Sequence, residues 1–235
     1  MEYSIGKLKF DTLKDLSLSL MGEGHGERDK VEGFAARVYR KMYGAELRTF
    51  CRDLLTLSVN KGETITCIGV NTPESGPFFL EQYLDSPVEE EISRLIGERV
   101  NREEIAEVGT MAVRSRGLCR IMMAGLTGYL MSRQKRFVVF TAVKVLRNTL
   151  ERLGVPFVTV ARAVPERVRD NSSWGSYYDA SPEVVVIDME RCLTHMEKAL
   201  DGVGYKARNE AARMMNDMFF KGLLLEEDYK LAAGF

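Results

Sequence analysis

Histidine is nearly absent from this chain, with two residues in 235. His25 lies in GEGHGE, and His195 follows Cys192 in a C-x-x-H pair. So few imidazoles argue against a histidine-centred triad. No second pair completes a tetrahedral zinc set, so no metal is expected. The four cysteines, Cys51, Cys67, Cys119 and Cys192, are scattered and form no close pairs. A chain of this length does not need disulfides, and a reducing cytoplasm is the expected compartment. Long apolar runs are also missing. The longest weakly polar stretch, IMMAGLTGYLM, falls far short of the ~20 residues of a membrane span. The first apolar segment is interrupted by Lys7, Lys9, Asp11, Lys14 and Asp15, so no signal peptide is expected. Neither G-x-x-x-x-G-K-[ST] nor G-x-G-x-x-G occurs, which disfavours ATP and dinucleotides. There is no repeat and no low-complexity linker.

The net charge of −1 hides an uneven distribution. Of 33 Lys and Arg and 34 acidic residues, residues 114–152 hold nine and one. One end of the fold is therefore expected to be positive, with anionic partners. Aromatics are not interleaved there as in a stacking platform, so nucleic acid is not an expected partner.

With 45% hydrophobic residues, the chain has enough apolar material for a substantial core. Val31, Phe34, Ala35, Val38, Tyr39 and Met42 follow helical spacing. Two apolar runs, 54–59 and 64–70, flank Asn60-Lys61-Gly62 and read as a hairpin. PFFLEQYL reads as a short strand or extended segment. Ser86, Pro87 and Glu89 suggest a capping box opening a helix. IAEVGTMAV, RFVVFTAV, PFVTVARAV and EVVVIDM read as strands, with helices after the first two. Ala211, Met214, Met215, Met218 and Phe219 place the tail in a helix. The expected architecture is α/β: one domain over 1–235, with a mixed sheet, flanking helices, a core of about 31–187 and a helical tail over 189–235. The middle is expected to be a right-handed parallel crossover.

The turn after EVGTMAV carries Arg114, Arg116 and Gly117 immediately before a helix. A helix start presents unpaired N–H groups and the positive end of its dipole. Glycine lets a ligand approach, and arginine adds charged, bidentate bonds. Phosphate is the ligand these residues suit; a solvated basic turn is the bland alternative.

Arg114-Ser-Arg-Gly117-Leu-Cys119 resembles the pyrophosphate loop Gln/Arg-x-x-Gly-x-Gly/Ala of the GNAT acyltransferase superfamily, with Cys119 at the last small position. The stretches at 39–47, 76–92, 107–113 and 174–178 resemble the thermostable hemolysin family, over about Val31 to Ile187. That resemblance implies a GNAT-like fold close to acyl-homoserine-lactone synthases and N-acyl amino acid synthases. Glu107, Ala112 and Val113 match the synthase segment Glu-x-Ser-Arg-Phe-Ala-Val. Thr110 stands where those synthases carry arginine, which tells against the homoserine-lactone reaction itself.

The resemblance implies an acyl donor on phosphopantetheine, either acyl-CoA or acyl carrier protein, and a small amine or amino acid as acceptor. Thr110, Met111, Ala112, Val113, Arg114, Arg116, Gly117, Leu118, Cys119 and Arg120 are the donor-binding candidates. Glu107 is the candidate for acceptor positioning or general base, against a solvated or ion-paired structural glutamate. Glu81 is a second candidate, against a surface acid ahead of a helix. Tyr177 and Tyr178 are candidates for protonating the leaving thiolate, against aromatics that pack a loop onto the sheet. The family's name implies a different class, a non-enzymatic membrane-active protein.

Overall fold

A computed structural model describes residues 17–59, 62–114, 119–152 and 154–192, together with Arg213 and Asn216. Seven strands form one mixed sheet in the order β1-β2-β3-β4-β5-β7-β6. They are β1 (Ser17–Met21), β2 (Asp53–Val59), β3 (Glu63–Asn71), β4 (Ile105–Val113), β5 (Phe137–Ala142), β6 (Val158–Arg162) and β7 (Glu183–Asp188). Among the described strands, only β4 and β5 pair in parallel. Helix α3 (Cys119–Ser132) makes that crossover. Flanking the sheet among the described residues are also α1 (Arg28–Tyr43), α2 (Val88–Ile96) and α4 (Lys144–Arg152).

Alternation along the strands divides the apolar residues between two faces. Val108, Val138, Phe140 and Val185 meet Met122, Leu126 and Tyr129 of α3 and Leu150 of α4. On the opposite face, Ile105, Phe137, Val139 and Val184 pack with Val88 and Ile92 of α2. Leu54, Cys67 and Ala112 pack there under Val31 and Ala35 of α1. Each fully buried Val or Leu contributes roughly 1.5–3 kcal/mol, so both layers are held by burial rather than by surface ion pairs.

The hairpin, the parallel crossover and the four expected strands are present. Three local expectations change. PFFLEQYL forms a 3-10 turn at Phe79–Tyr83, not an extended segment. Its backbone N–H groups bond to carboxylates instead of to a neighbouring strand. Ser86 does not cap α2: Pro87 precedes the helix with no side-chain cap. Arg94 donates to Ser86, and Arg102 takes Glu89, so both members of the expected box are occupied elsewhere. The sheet also begins earlier than residue 31, at β1. The expected tail is helical over 189–192, and Met214, Met215 and Met218 lie outside the described residues. No described helix is long and apolar enough to cross a membrane.

Candidate active site

β4 and β5 pair from Ile105–Phe137 to Val108–Phe140 and then diverge. β4 continues to Val113 with ladder partners on its β3 side. Between the splayed strands lies a cleft of about 650 Å³. It takes Val108, Phe140 and Leu146 from one face of the sheet and Phe78, Phe79, Tyr83 and Trp174 from the other. The cleft therefore opens through the sheet at the splay.

β4 is not regular where it lines this cleft. Its register against β3 shifts between Cys67 and Gly69, and Thr110 has φ 45. A positive φ is costly for a β-branched residue, on the order of 1–3 kcal/mol, and persists only where neighbours enforce it. The neighbour here is Cys51. Its Sγ lies 3.9 Å from Thr110 Oγ1. A Cβ on Gly69 would come 2.7 Å from that sulfur, and a Cβ on Gly109 would come 2.8 Å from it. Two cross-strand glycines thus make the room that Cys51 fills. Burial, followed by the nearby Glu107 charge, pushes the Cys51 thiol up to about 12. It remains a neutral thiol, unsuited to nucleophilic attack. The bulge re-aims the backbone, and Met111 gives a backbone hydrogen bond to Tyr39 of α1.

Glu107 is 4% exposed and lines the cleft. Leu80 N–H donates to Oε1 at 2.8 Å; Phe79 N–H and Asn71 Nδ2 donate to Oε2 at 3.0 and 2.9 Å. Asn71 is oriented by the Arg52 N–H on its Oδ1. Burial raises the Glu107 pKa, and the three donors oppose that shift. A carboxylate has about four acceptor sites, so one stays open on Oε1.

Glu81 is elsewhere. Arg102 grips it with two bonds of 2.6 and 2.9 Å and stacks over Phe78. Burial alone raises the Glu81 pKa, but the Arg102 bond and the N–H groups of Val88 and Phe78 bring it below the ordinary value. Glu81 does not line the cleft and is an ion-pair anchor for the turn that carries Phe79.

Tyr177 and Tyr178 lie in a 3-10 turn, not a strand. Tyr177 lines the cleft, whereas Tyr178 shares a 2.8 Å hydrogen bond with Tyr83. Burial holds the Tyr177 hydroxyl well above its usual range, so it stays protonated. Its ring meets Tyr43, Trp174 and Tyr178 at 5.2–5.4 Å, and Trp174 meets Phe79 at 5.5 Å. The 165–180 segment thus builds an aromatic wall.

That wall docks on the end of α1. Ser176 N–H donates to Tyr43 O at 2.8 Å and Glu46 N–H to Ser173 O at 2.7 Å. Gly175, at φ +53, leaves no room for a side chain: a Cβ would sit 2.1 Å from Tyr43 O. Gly175→Ala should therefore lift the wall from α1. Positive-φ strain of roughly 1–3 kcal/mol corresponds to a melting temperature about 3–10 °C lower in a domain this size. Thermal denaturation checks this; unchanged melting would show that the contact contributes nothing.

Of the donor-binding candidates, Thr110 and Met111 line the cleft. Ala112 is buried under α1, and Val113 lines neither cavity. Arg114 is exposed and ion-paired to Glu63. With Lys30, Arg37 and Lys41 of α1, Arg114 borders a second, basic cavity of about 480 Å³. Cys119 and Arg120 open α3. Arg116, Gly117 and Leu118 lie outside the described residues. The sequence reading missed Cys51, Asn71 and Arg169, and took Tyr39 only as part of a helical apolar face. The pairing of Gly69 with Gly109 was the available signal for Cys51, because two glycines facing each other in adjacent strands mark a close approach.

The same architecture recurs among solved structures. FeeM, an N-acyl amino acid synthase from uncultured soil microbes, matches with TM-score 0.56 and 13% identity, over 79% of this chain and 97% of FeeM. The AHL synthase LasI matches with TM-score 0.55 and 10% identity, over 78% and 95% of the two chains. BjaI, a CoA-dependent acyl-homoserine lactone synthase solved with SAM and isopentyl-CoA, matches with TM-score 0.54 and 10% identity, over 79% and 88%. At these identities the likeness is one of fold, and the fold is GNAT-like. The chain belongs to the thermostable hemolysin family, which matches residues 21–193. No curated protein sequence is significantly similar to it.

Proposed function

We propose that this protein is an N-acyltransferase that moves an acyl group from a phosphopantetheine thioester, on CoA or a carrier protein, to a small amine or amino acid. The observation that carries the reading is the cleft at the β4–β5 splay, which joins a strained backbone bulge to a buried carboxylate. An extended thioester arm fits along the free edge of β4 beyond Val108. The re-aimed Thr110 amide supplies a donor for the carbonyl oxygen, where charge develops in the transition state, and the Met111 amide holds the bulge to Tyr39.

The reaction needs no covalent enzyme intermediate. The neutral amine nitrogen attacks the thioester carbon, the C–N bond forms and the C–S bond breaks. Glu107, directly or through water, takes the amine proton. The thiolate leaves and takes up the proton that Glu107 received, and the protonated Tyr177 hydroxyl at the cleft wall stabilises the departing sulfur by a hydrogen bond. Basic residues beyond the bulge, Arg114 among them, hold the donor's anionic part.

Arg114→Ala should weaken CoA or carrier-protein binding about tenfold or more, on the scale of a lost charged hydrogen bond. Its exposure predicts little change in melting. Calorimetry checks this, and unchanged affinity would remove Arg114 from the donor site.

The direct test of function is mass spectrometry of lipids extracted from cells making the protein, paired with thiol release by purified protein from acyl-CoA and acyl carrier protein. Acylated amines are the expected product. The family's name points to haemolysis, and a surfactant-like acylated product would account for it. Red-cell lysis by pure protein alone, with no new small molecule, would favour the membrane-active alternative.

A further inference from the structure

The acyltransferase reading leaves the acceptor open, and the charges in the cleft define it further. Among the described residues that line the cleft, Glu107 is the one carboxylate and Arg169 the one cation. Arg169 differs from the charged residues on either side of it. Arg167 donates to Tyr83 O and is ion-paired to Asp85. Asp170 is ion-paired to Arg48 at 2.7 Å. Arg169 has no such partner among the described residues. It is exposed at the cleft, on the same segment as Trp174 and Tyr177.

The two charges have opposite sign and opposite standing. Glu107 is buried and nearly saturated with donors. It attracts an ammonium and can take its proton. No described residue neutralises Arg169, and a guanidinium offers a planar pair of N–H donors that matches a carboxylate. A simple alkyl amine would satisfy the first group and leave the second idle. A molecule bearing both an amino group and a carboxylate satisfies both. The same cleft presents ring surface from Phe79, Trp174 and Tyr177, which suits an apolar or aromatic side chain.

We propose that the acceptor is an α-amino acid with an apolar or aromatic side chain, and that Arg169 anchors its carboxylate. The proposal rests on the acyltransferase reading and deepens it.

The test uses the full chain with decanoyl-CoA or decanoyl carrier protein as donor. The acceptors are phenylalanine, phenylalaninamide, phenethylamine and glycine. Thiol release and product mass are measured. Phenylalanine should be the best acceptor, with kcat/KM at least 30-fold above its amide and above phenethylamine. Arg169→Gln should raise the KM for phenylalanine at least 30-fold while kcat changes less than threefold. The same variant should leave the KM for the amide unchanged. Arg169→Lys should recover part of the loss, because it keeps the charge and not the fork. Wild-type protein that acylates amide and acid equally would overturn this proposal and leave the acyltransferase reading standing. So would an Arg169→Gln variant with unchanged KM for phenylalanine. Absence of transfer to every amine from both donors would overturn both.

Discussion

Glu107→Gln should lower turnover by about 100-fold or more while donor binding persists. The same change should lower stability. Both carboxylate oxygens accept hydrogen bonds, from Leu80 N–H on one side and from Phe79 N–H and Asn71 on the other. An amide brings an NH₂ group against at least one of these donors. Asn71 cannot turn over to compensate, because its Oδ1 already accepts the Arg52 N–H. A buried donor left unpaired costs roughly 1–3 kcal/mol. The pH dependence has a definite sign. The folded pKa of Glu107 is raised by burial, so between its unfolded and folded values the native state holds more protons than the unfolded one. Stability from this group therefore falls as pH rises through that window. The stability gap between wild type and Glu107→Gln should narrow over the same range. Turnover is measured well below the variant's melting temperature. Lowered melting with normal kcat would make Glu107 a positioning residue only. Normal turnover with normal melting would exclude both roles.

The sequence carried the architecture well, because architecture is written in periodicity. Val31, Ala35 and Val38 at helical spacing, and the alternating strands around Glu107 and Val139, can be buried in few other ways. The parallel crossover followed from the order of strand, helix and strand. The exception was β1, whose Ser-Leu-Ser-Leu-Met alternation is strand-like but short. Lys14 and Asp15 stand just before it, so its apolar alternation covers too few residues to define a strand. The site was legible only in part. Glu107 and Tyr177 lie in the cleft because each sits in a recognisable segment. Glu81 lies in one too, but Arg102, 21 residues away, takes it for structure. Tyr177 and Tyr178 could not be told apart by strand alternation, because the segment turns as a 3-10 helix. Cys51, Asn71 and Arg169 come from three separate stretches. Nothing local marks them, since only the fold brings them to one cleft.

Gly109→Ala should cost more activity than a methyl group suggests, and removing the Cys51 sulfur should restore it. A Cβ at Gly109 meets Cys51 Sγ at 2.8 Å, which is closer than packed atoms tolerate. The sulfur is buried against Thr110 and cannot swing away freely. Overpacking of this kind costs about 1–3 kcal/mol. The strain should fall on the weakest neighbour, the bulge at Thr110, whose φ of 45 is already unfavourable. If the Thr110 amide shifts by as little as 1 Å, turnover drops by about 100-fold, because the carbonyl no longer meets its donor. Cys51→Ala removes the colliding atom. Alone, it leaves a small void and should reduce activity less than tenfold. Combined with Gly109→Ala, it should return most of the lost turnover, so the two changes are strongly non-additive. Gly69→Ala behaves differently. Its Cβ also meets Cys51 Cβ at 2.7 Å, an atom that alanine keeps, so Cys51→Ala should not rescue it. Steady-state kinetics and melting curves on the five variants measure all of this. Equal rescue of both glycine variants would show that the sulfur does not hold the bulge, and an active, stable Gly109→Ala protein would show that the bulge does not hold the reacting carbonyl.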